Sequence, residues 1–291
     1  MCRAQRANRN SSCACPFLGL PDEVLLKVLS AGHFDACTLG RLALCSKRFS
    51  HQRQPLALVE ELARVSVRCR PDAARMPRRT NERWLWILHE LELLSQPLAF
   101  TCYPAHVDLY ESGAVAVIHP QSGGFQGELD TDTTVICGRS VMRRGLHRAR
   151  FTVLHNRYHW LTVGIAAVDP VHGPSSARCT RWSSDDNGFA WHAGFDGAAR
   201  HGGEALEWRG MEGFSVGETV ELCLNLEAEQ GTLTAWKNGT QLGVLAHGLL
   251  LQRDAESGQQ VGFCWMAEMS TSGDAVRVVN CPLRRGIDII M

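Results

Sequence analysis

Charge of one sign is the first thing this sequence lacks. Its 30 Lys and Arg are matched by 30 Asp and Glu, so no global field draws the chain to nucleic acid or to an anionic membrane. Long apolar runs are also missing. None approaches the ~18 residues that a membrane-crossing helix requires. The local signatures of catalysis are absent too: there is no G-x-S-x-G elbow, no G-x-x-x-x-G-K-[ST] phosphate loop and no H-E-x-x-H metal helix. His89-Glu90 opens HELEL, which has no second His to complete such a site. These absences point away from an enzyme and away from any cofactor, toward a binding partner that is a protein or a small ligand.

Cysteine is plentiful, but paired spacing is scarce. The twelve cysteines are scattered singly, with no apolar signal segment before them, which suits reduced thiols and an intracellular, cytoplasmic or nuclear, location. Cys13 and Cys15 form only C-x-C, without a second pair or a His at zinc-site spacing, so no metal is expected there. Residues 1–15 carry Arg3, Arg6 and Arg9 with Ser and Asn and no acid. That composition fits a disordered tail and equally a transit peptide.

At 291 residues and 45% hydrophobic content the chain has length for two domains with real cores. Helical periodicity comes first. LPDEVLLKVLS (20–30) sets Pro21 at a first helical position, Asp22 and Glu23 in the first turn, and Val24, Leu25, Val28 and Leu29 on one face. A second pattern runs from Asp35, an N-cap candidate, through Leu39, Leu42, Cys45 and Phe49. Residues 56–67 and 84–94 read as two further helices, joined by the basic, Pro-punctuated connector RCRPDAARMPRR (68–79). The pattern leaves open whether 56–94 packs on the preceding helices or on the part of the chain after Pro97.

After Pro97 the period changes from 3.6 to 2. VELCLNL (220–226) alternates Val220, Leu222, Leu224 and Leu226 against Glu221, Cys223 and Asn225, and LTVGI (161–165) and AVRVV (275–279) behave alike. In GTLTAWKNGTQLGVL (231–245), Asn238-Gly239 between two β-rich runs predicts a two-residue type I′ hairpin, whose turn positions both need positive φ. Many short strands with turn signals and no intervening helix indicate an antiparallel β-sandwich. Arg143, Arg144 and His147 fall where a solvated loop before a strand is expected.

Two stretches resemble known families. HVDLYESG (106–113), VICGRSVMRRGLHRARFTV (135–153), HWLTVGIA (159–166), DDNGFAWHAG (185–194), VGETVELCLNLEAEQGTLTAWKNGTQLG (216–243) and GFCWMAEMSTSGDAVRV (262–278) resemble, in order and spacing, the elements of a SPRY domain. LPDEVLLKVLS and FDACTLGRLALCSKRFS (34–50) resemble an F-box, with Gly32 and His33 standing where a hydrophobic anchor often sits. The resemblances imply an α+β multidomain chain: a tail at 1–15, an F-box-like helical region at 16–55, a helical linker at 56–97, a SPRY β-sandwich at 98–282 and a C-terminal tail at 283–291. They also imply that the 231–245 hairpin is a central pair of the sandwich.

By the F-box resemblance, Leu20, Pro21, Val24, Leu25, Val28, Leu29, Leu42 and Phe49 would dock a Skp-type adaptor and through it a cullin. The same apolar face could instead pack as a helical core. By the SPRY resemblance, the loop SSDDNGFAWHAG (183–194) would hold a target protein or peptide through Asp185, Asp186, Phe189 and Ala190, where the family often has Trp-Gly in place of the last two. Asp185 and Asp186 could equally do no more than end a turn, and Trp191 fits a core position in a strand. The function so implied is substrate recognition in an SCF-type ubiquitin ligase; the alternative is a SPRY interaction scaffold unrelated to ubiquitination.

Overall fold

The computed structural model describes residues 20–32, 34–45, 47–50, 57–119, 133–139, 141–158, 160–168, 188–192, 197–201, 204–249 and 262–281. The N-terminal tail with Cys13 and Cys15 and the tail from 283 lie outside the described residues. The chain divides into two compact units. One holds the described residues up to Ala73 together with Arg78–Glu92; the other holds Ala74–Pro77 together with the described residues from Leu93 onward.

In the first unit, α1 (Asp22–Ser30), α2 (Ala36–Cys45), α3 (Lys47–Ser50) and α4 (Leu58–Cys69) are joined by α5 (Trp84–Ser95), whose last residues belong to the second unit. Pro21 stands at the N-cap of α1, one residue earlier than its sequence suggested. Its ψ of 152° is extended, and its carbonyl already accepts the N–H groups of Val24 and Leu25. Asp35 caps α2 as expected: its Oδ1 accepts the Thr38 N–H at 2.7 Å, and the hydrogen bonds from Thr38 hold its carboxyl below the ordinary range. The helical run expected from 35 to 49 is divided between α2 and α3.

The helices also cap one another. Glu92 of α5 accepts the Ala36 N–H that opens α2, and Glu60 of α4 accepts the Trp84 N–H that opens α5, so acidic side chains meet two positive helix ends. The core joins Leu25, Phe49, Ala57, Leu58 and Val59, with Leu20, Leu29 and Leu42 packed at its margin. Residues 58–69 thus pack on the preceding helices, settling for that segment what the pattern left open.

The second unit is an antiparallel two-sheet sandwich. Its strands are β1 (Val107–Tyr110), β2 (Val115–Ile118), β3 (Thr133–Ile136), β4 (Leu146–His155), β5 (Thr162–Val168), β6 (Gly188–His192), β7 (Ala199–His201), β8 (Glu204–Leu206), β9 (Thr219–Asn225), β10 (Thr232–Lys237), β11 (Thr240–His247), β12 (Gly262–Met269) and β13 (Ala275–Asn280). One sheet runs β1-β2-β13-β4-β9-β10-β11 and the other β3-β12-β5-β6-β7-β8. Between them lie alternate residues of both, among them Phe151, Val163, Ile165, Leu222, Leu233, Phe263, Trp265 and Val278.

The β10–β11 turn is the predicted one: Asn238 has φ 48° and Gly239 φ 87°, with Lys237 opposite Thr240. Asn238 does more than turn the chain. Its Oδ1 accepts the Thr219 N–H at 3.0 Å, tying the hairpin to the start of β9. The pair is not central, however: among the described residues β11 is the last strand of its sheet.

Alternation in β9 is confirmed on the core side, but its other face is not a solvent face. Glu221 and Cys223 are 2% and 5% exposed. Cys223 packs with Leu146 and Trp236, and Glu221 binds two arginines from β4. Arg148 Nη2 donates to Glu221 Oε2 at 2.7 Å, Arg150 Nε donates to Oε1 at 2.9 Å, and the Arg148 guanidinium lies 4.8 Å from the centroid of the Trp236 ring.

Arg144 and His147, expected in a solvated loop, are buried; Arg143 alone of the three is exposed. The cause is a short strap. Ala74–Pro77 lies against the start of β4, where Arg75 Nε donates to the Leu146 carbonyl at 3.0 Å and Arg144 donates to the Pro77 carbonyl. Gly145 between them has φ +85°, and a Cβ there would stand 2.7 Å from the Arg75 carbonyl oxygen, so only glycine serves. His147 Nε2 donates to the Arg144 carbonyl, which fixes the neutral ring with its proton on that nitrogen.

Burial then lowers the His147 pKa from 6.5 to about 4, against the pull of that hydrogen bond and with help from the Arg75 charge. Below pH 6.5 the unfolded chain takes up a proton that the folded chain refuses. Stability is therefore constant above that pH and is lost as pH falls toward 4, by about 3 kcal/mol in all for this group. Denaturation midpoints followed from pH 7 to pH 4 should show this slope, and His147→Gln should flatten it.

Candidate functional site

Of the adaptor-docking candidates, Leu25 is 1% and Phe49 7% exposed, both inside the helical core, while Leu20, Leu29 and Leu42 are half-buried at its edge. The exposed members are Pro21, Val24 and Val28, the two valines 40% and 47% exposed and one turn apart on α1. Leu44 on α2 is also fully presented. The stripe read as one face is thus two: Leu25 and Leu29 turn inward, and Val24 and Val28 outward.

On the sandwich, Asp185 and Asp186 lie outside the described residues. Phe189 and Ala190 are described by backbone, and they sit in strand β6 rather than in the expected loop. Phe189 pairs with Ile165 and His201, and Ala190 with Gly164 and Arg200, so both neighbouring strands use the β6 backbone. Ile165 is a fully buried core residue.

Two exposed aromatics stand close in sequence elsewhere, in the turn from β4 to β5. There Tyr158 is 49% and Trp160 55% exposed, and the Arg157 guanidinium stacks 5.2 Å from the Tyr158 ring centroid. The turn is held by Asp274, fully buried in the β12–β13 connection. One oxygen accepts the Arg157 N–H at 3.0 Å; the other accepts the N–H groups of Thr271 and Ser270. Burial raises the Asp274 pKa above the ordinary carboxylate value, against the three N–H donors that lower it. The Asp274 carbonyl also accepts the Ile118 N–H at 3.0 Å, so the chain leaving β2 is fastened to the same point.

Beside the aromatics, Asn156 is 5% exposed, and neither its Oδ1 nor its Nδ2 has a hydrogen-bond partner among the described residues. An amide so placed is costly until something bonds it. Two exposed rings and a guanidinium on this turn suit recognition of a polypeptide, because the rings are desolvated on contact, whereas the Asn156 amide is buried beneath the surface. Sequence reasoning passed over this turn: it read a strand at 161–165 and took Trp160 only as part of the HWLTVGIA element (159–166). The visible signal was two aromatics, Tyr158 and Trp160, packed among the turn-type residues of HNRYHW (155–160).

Among the described residues no three His, Cys, Asp or Glu side chains gather into a metal-holding group. The described cysteines are all thiols, with Cys137, Cys223, Cys264 and Cys281 buried. No described helix is long and apolar enough to cross a membrane.

The fold is thus antiparallel and sheet-rich, with a few helices. No family model matches the chain, and no curated protein matches it. Its neighbours among solved structures include SPRY domains. The SPRY domain of human HERC1 aligns with 18% identity and a TM-score of 0.41, over 62% of this chain and 99% of that one. The TRIM65 PSpry domain aligns with 15% identity and a TM-score of 0.43, over 66% of this chain and 95% of that one.

Proposed function

We propose that the protein is a substrate receptor of a cullin-RING, SCF-type ubiquitin ligase. Its helical unit docks a Skp-type adaptor and through it a cullin, and its sandwich binds a target protein. In this reading the chain acts inside the cell, carries no catalytic group and needs no cofactor. It contributes proximity and orientation while other subunits transfer ubiquitin. The observation that carries it is the exposure of Val24 and Val28 on α1, within the LPDEVLLKVLS segment that resembles an F-box. Apolar side chains set one turn apart on a helix suit an adaptor groove. The aromatic turn at Tyr158 and Trp160 supplies the target-facing surface.

A second reading, an interaction scaffold unrelated to ubiquitination, is favoured by the burial of Leu25 and Phe49, which narrows the exposed apolar strip. A pull-down of purified Skp-type adaptor by the full chain separates the two. The unaltered chain should retain the adaptor, and Val24→Asp with Val28→Asp should weaken retention at least tenfold with an unchanged circular dichroism spectrum, because both side chains already face water. Failure of the unaltered chain to bind would leave the scaffold reading in possession.

A further inference from the structure

At the end of the sandwich opposite the aromatic turn lies a cavity of about 280 Å³, lined by Gln96, Pro97, Leu98, Ala99, Ser112, Cys137 and Arg139. Its walls come from three stretches: the segment entering the sandwich, the β1–β2 turn and the chain leaving β3. Hydrogen bonds lock these together. Phe100 N–H donates to the Gly113 carbonyl at 2.8 Å, Thr101 N–H to the Ile136 carbonyl at 2.9 Å, and Gly138 N–H to Thr101 Oγ1 at 3.0 Å. The cavity is therefore built before any ligand arrives. Its volume is near the lower limit for small-molecule sites, about 300 Å³.

The lining divides by chemistry. Leu98 and Cys137 form a buried apolar floor, widened by Pro97 and Ala99. Around it stand Gln96, Ser112 and Arg139, exposed, whose side chains make no hydrogen bond or ion pair with any described residue. Glu111, the nearest acid in sequence, is occupied by Arg277. The β1–β2 turn holds Glu111, Ser112 and Gly113 at successive positive φ of 51°, 57° and 91°, so two residues with side chains carry a backbone conformation that usually falls to glycine. Strain of this kind persists where surroundings over-determine it, as beside ligand clamps.

We propose that this cavity binds a carboxylate on a short branched apolar stem. The Arg139 guanidinium takes the two carboxylate oxygens as a fork, the Ser112 hydroxyl and the Gln96 amide complete the polar rim, and the stem covers Leu98 and Cys137. A single cation with no anion in the lining selects this charge. Two sources present the same chemistry: the C-terminus of a polypeptide that ends in an aliphatic residue, or a free aliphatic acid. The site stands on the sandwich alone and is independent of whether the helical unit binds an adaptor.

Titration calorimetry of the full chain with 4-methylpentanoate, with acetyl-Gly-Leu-Leu carboxylate and with the same peptide as its C-terminal amide tests it. Saturable binding by at least one carboxylate is expected, of millimolar order for so small an acid, together with at least tenfold loss for the amide and for Arg139→Gln. A peptide acid at least tenfold tighter than the free acid identifies a chain terminus as the source; equal affinities identify the free acid. No saturable binding by either carboxylate, or equal binding by Arg139→Gln, overturns the proposal. Arg139 is exposed and unpaired among the described residues, so loss of fold is not expected to cloud the variant.

Discussion

Glu221→Ala should destabilise the sandwich by about 3–5 kcal/mol, a large share of the stability of any domain. The carboxylate it removes is 2% exposed and is the shared acceptor of Arg148 and Arg150, and the Arg148 side chain is wholly buried. Arg150, by contrast, is 42% exposed at its side chain and can return to water. What the substitution leaves is therefore one desolvated guanidinium against the Trp236 ring that has lost the carboxylate it donates to. Guanidinium denaturation followed by tryptophan fluorescence reads the loss directly. The double variant Glu221→Leu with Arg148→Met separates charge from packing: it removes both charges while keeping volume, and should cost far less than Glu221→Ala. If the double variant were the worse of the two, the network would be holding the strands by packing rather than by pairing.

Leu25→Ala should cost the helical unit about 2–5 kcal/mol, whereas Val28→Ala on the next turn should change it by less than about 0.5 kcal/mol. Leu25 is 1% exposed among Phe49, Ala57, Leu58 and Val59, and shortening it opens a void that its fixed neighbours cannot fill; Val28 is 47% exposed. Thermal unfolding monitored by circular dichroism at 222 nm reports the helices. Equal effects of the two substitutions would mean that the burial on α1 is wrongly assigned. The contrast also decides how adaptor binding can be probed. A charge at Leu25 would abolish it by unfolding the unit, whatever surface the adaptor uses.

How much could be read in the sequence depended on how local each determinant is. The Asn238-Gly239 turn, the Asp35 cap and the alternation of Val220, Leu222 and Leu224 are set by residues within a few positions of one another, and all three stand in the structure. The face of Glu221 and Cys223 was hidden because Leu146, Arg148 and Arg150, which cover it, come from β4, more than 70 residues away in the chain, so an alternating pattern resembled one dry and one wet side. His147 was hidden for the same reason: its burial depends on a strap contributed by residues 74–77. On α1 the apolar periodicity was right, but Val24, Leu25, Val28 and Leu29 span more arc than one contact can cover, and periodicity does not say which edge faces in. Phe189 and Ala190 were assigned to a loop by the SPRY resemblance, while the structure sets GFAWH in a strand, where its two aromatics have high β propensity.

The strap has a consequence for how the molecule can be taken apart. The chain enters the sandwich for four residues at Ala74–Pro77, leaves it, and comes back at Leu93. A fragment beginning at Pro97 would keep every strand yet lose Arg75, leaving the Leu146 carbonyl of an 8% exposed residue without that donor. Conversely, a single peptide-bond cleavage between Arg78 and Glu92 would yield two pieces that each retain part of the sandwich, held together by the Arg75 and Arg144 hydrogen bonds after the covalent link is gone. Each unit has a core of its own, but no one cut in the chain parts them.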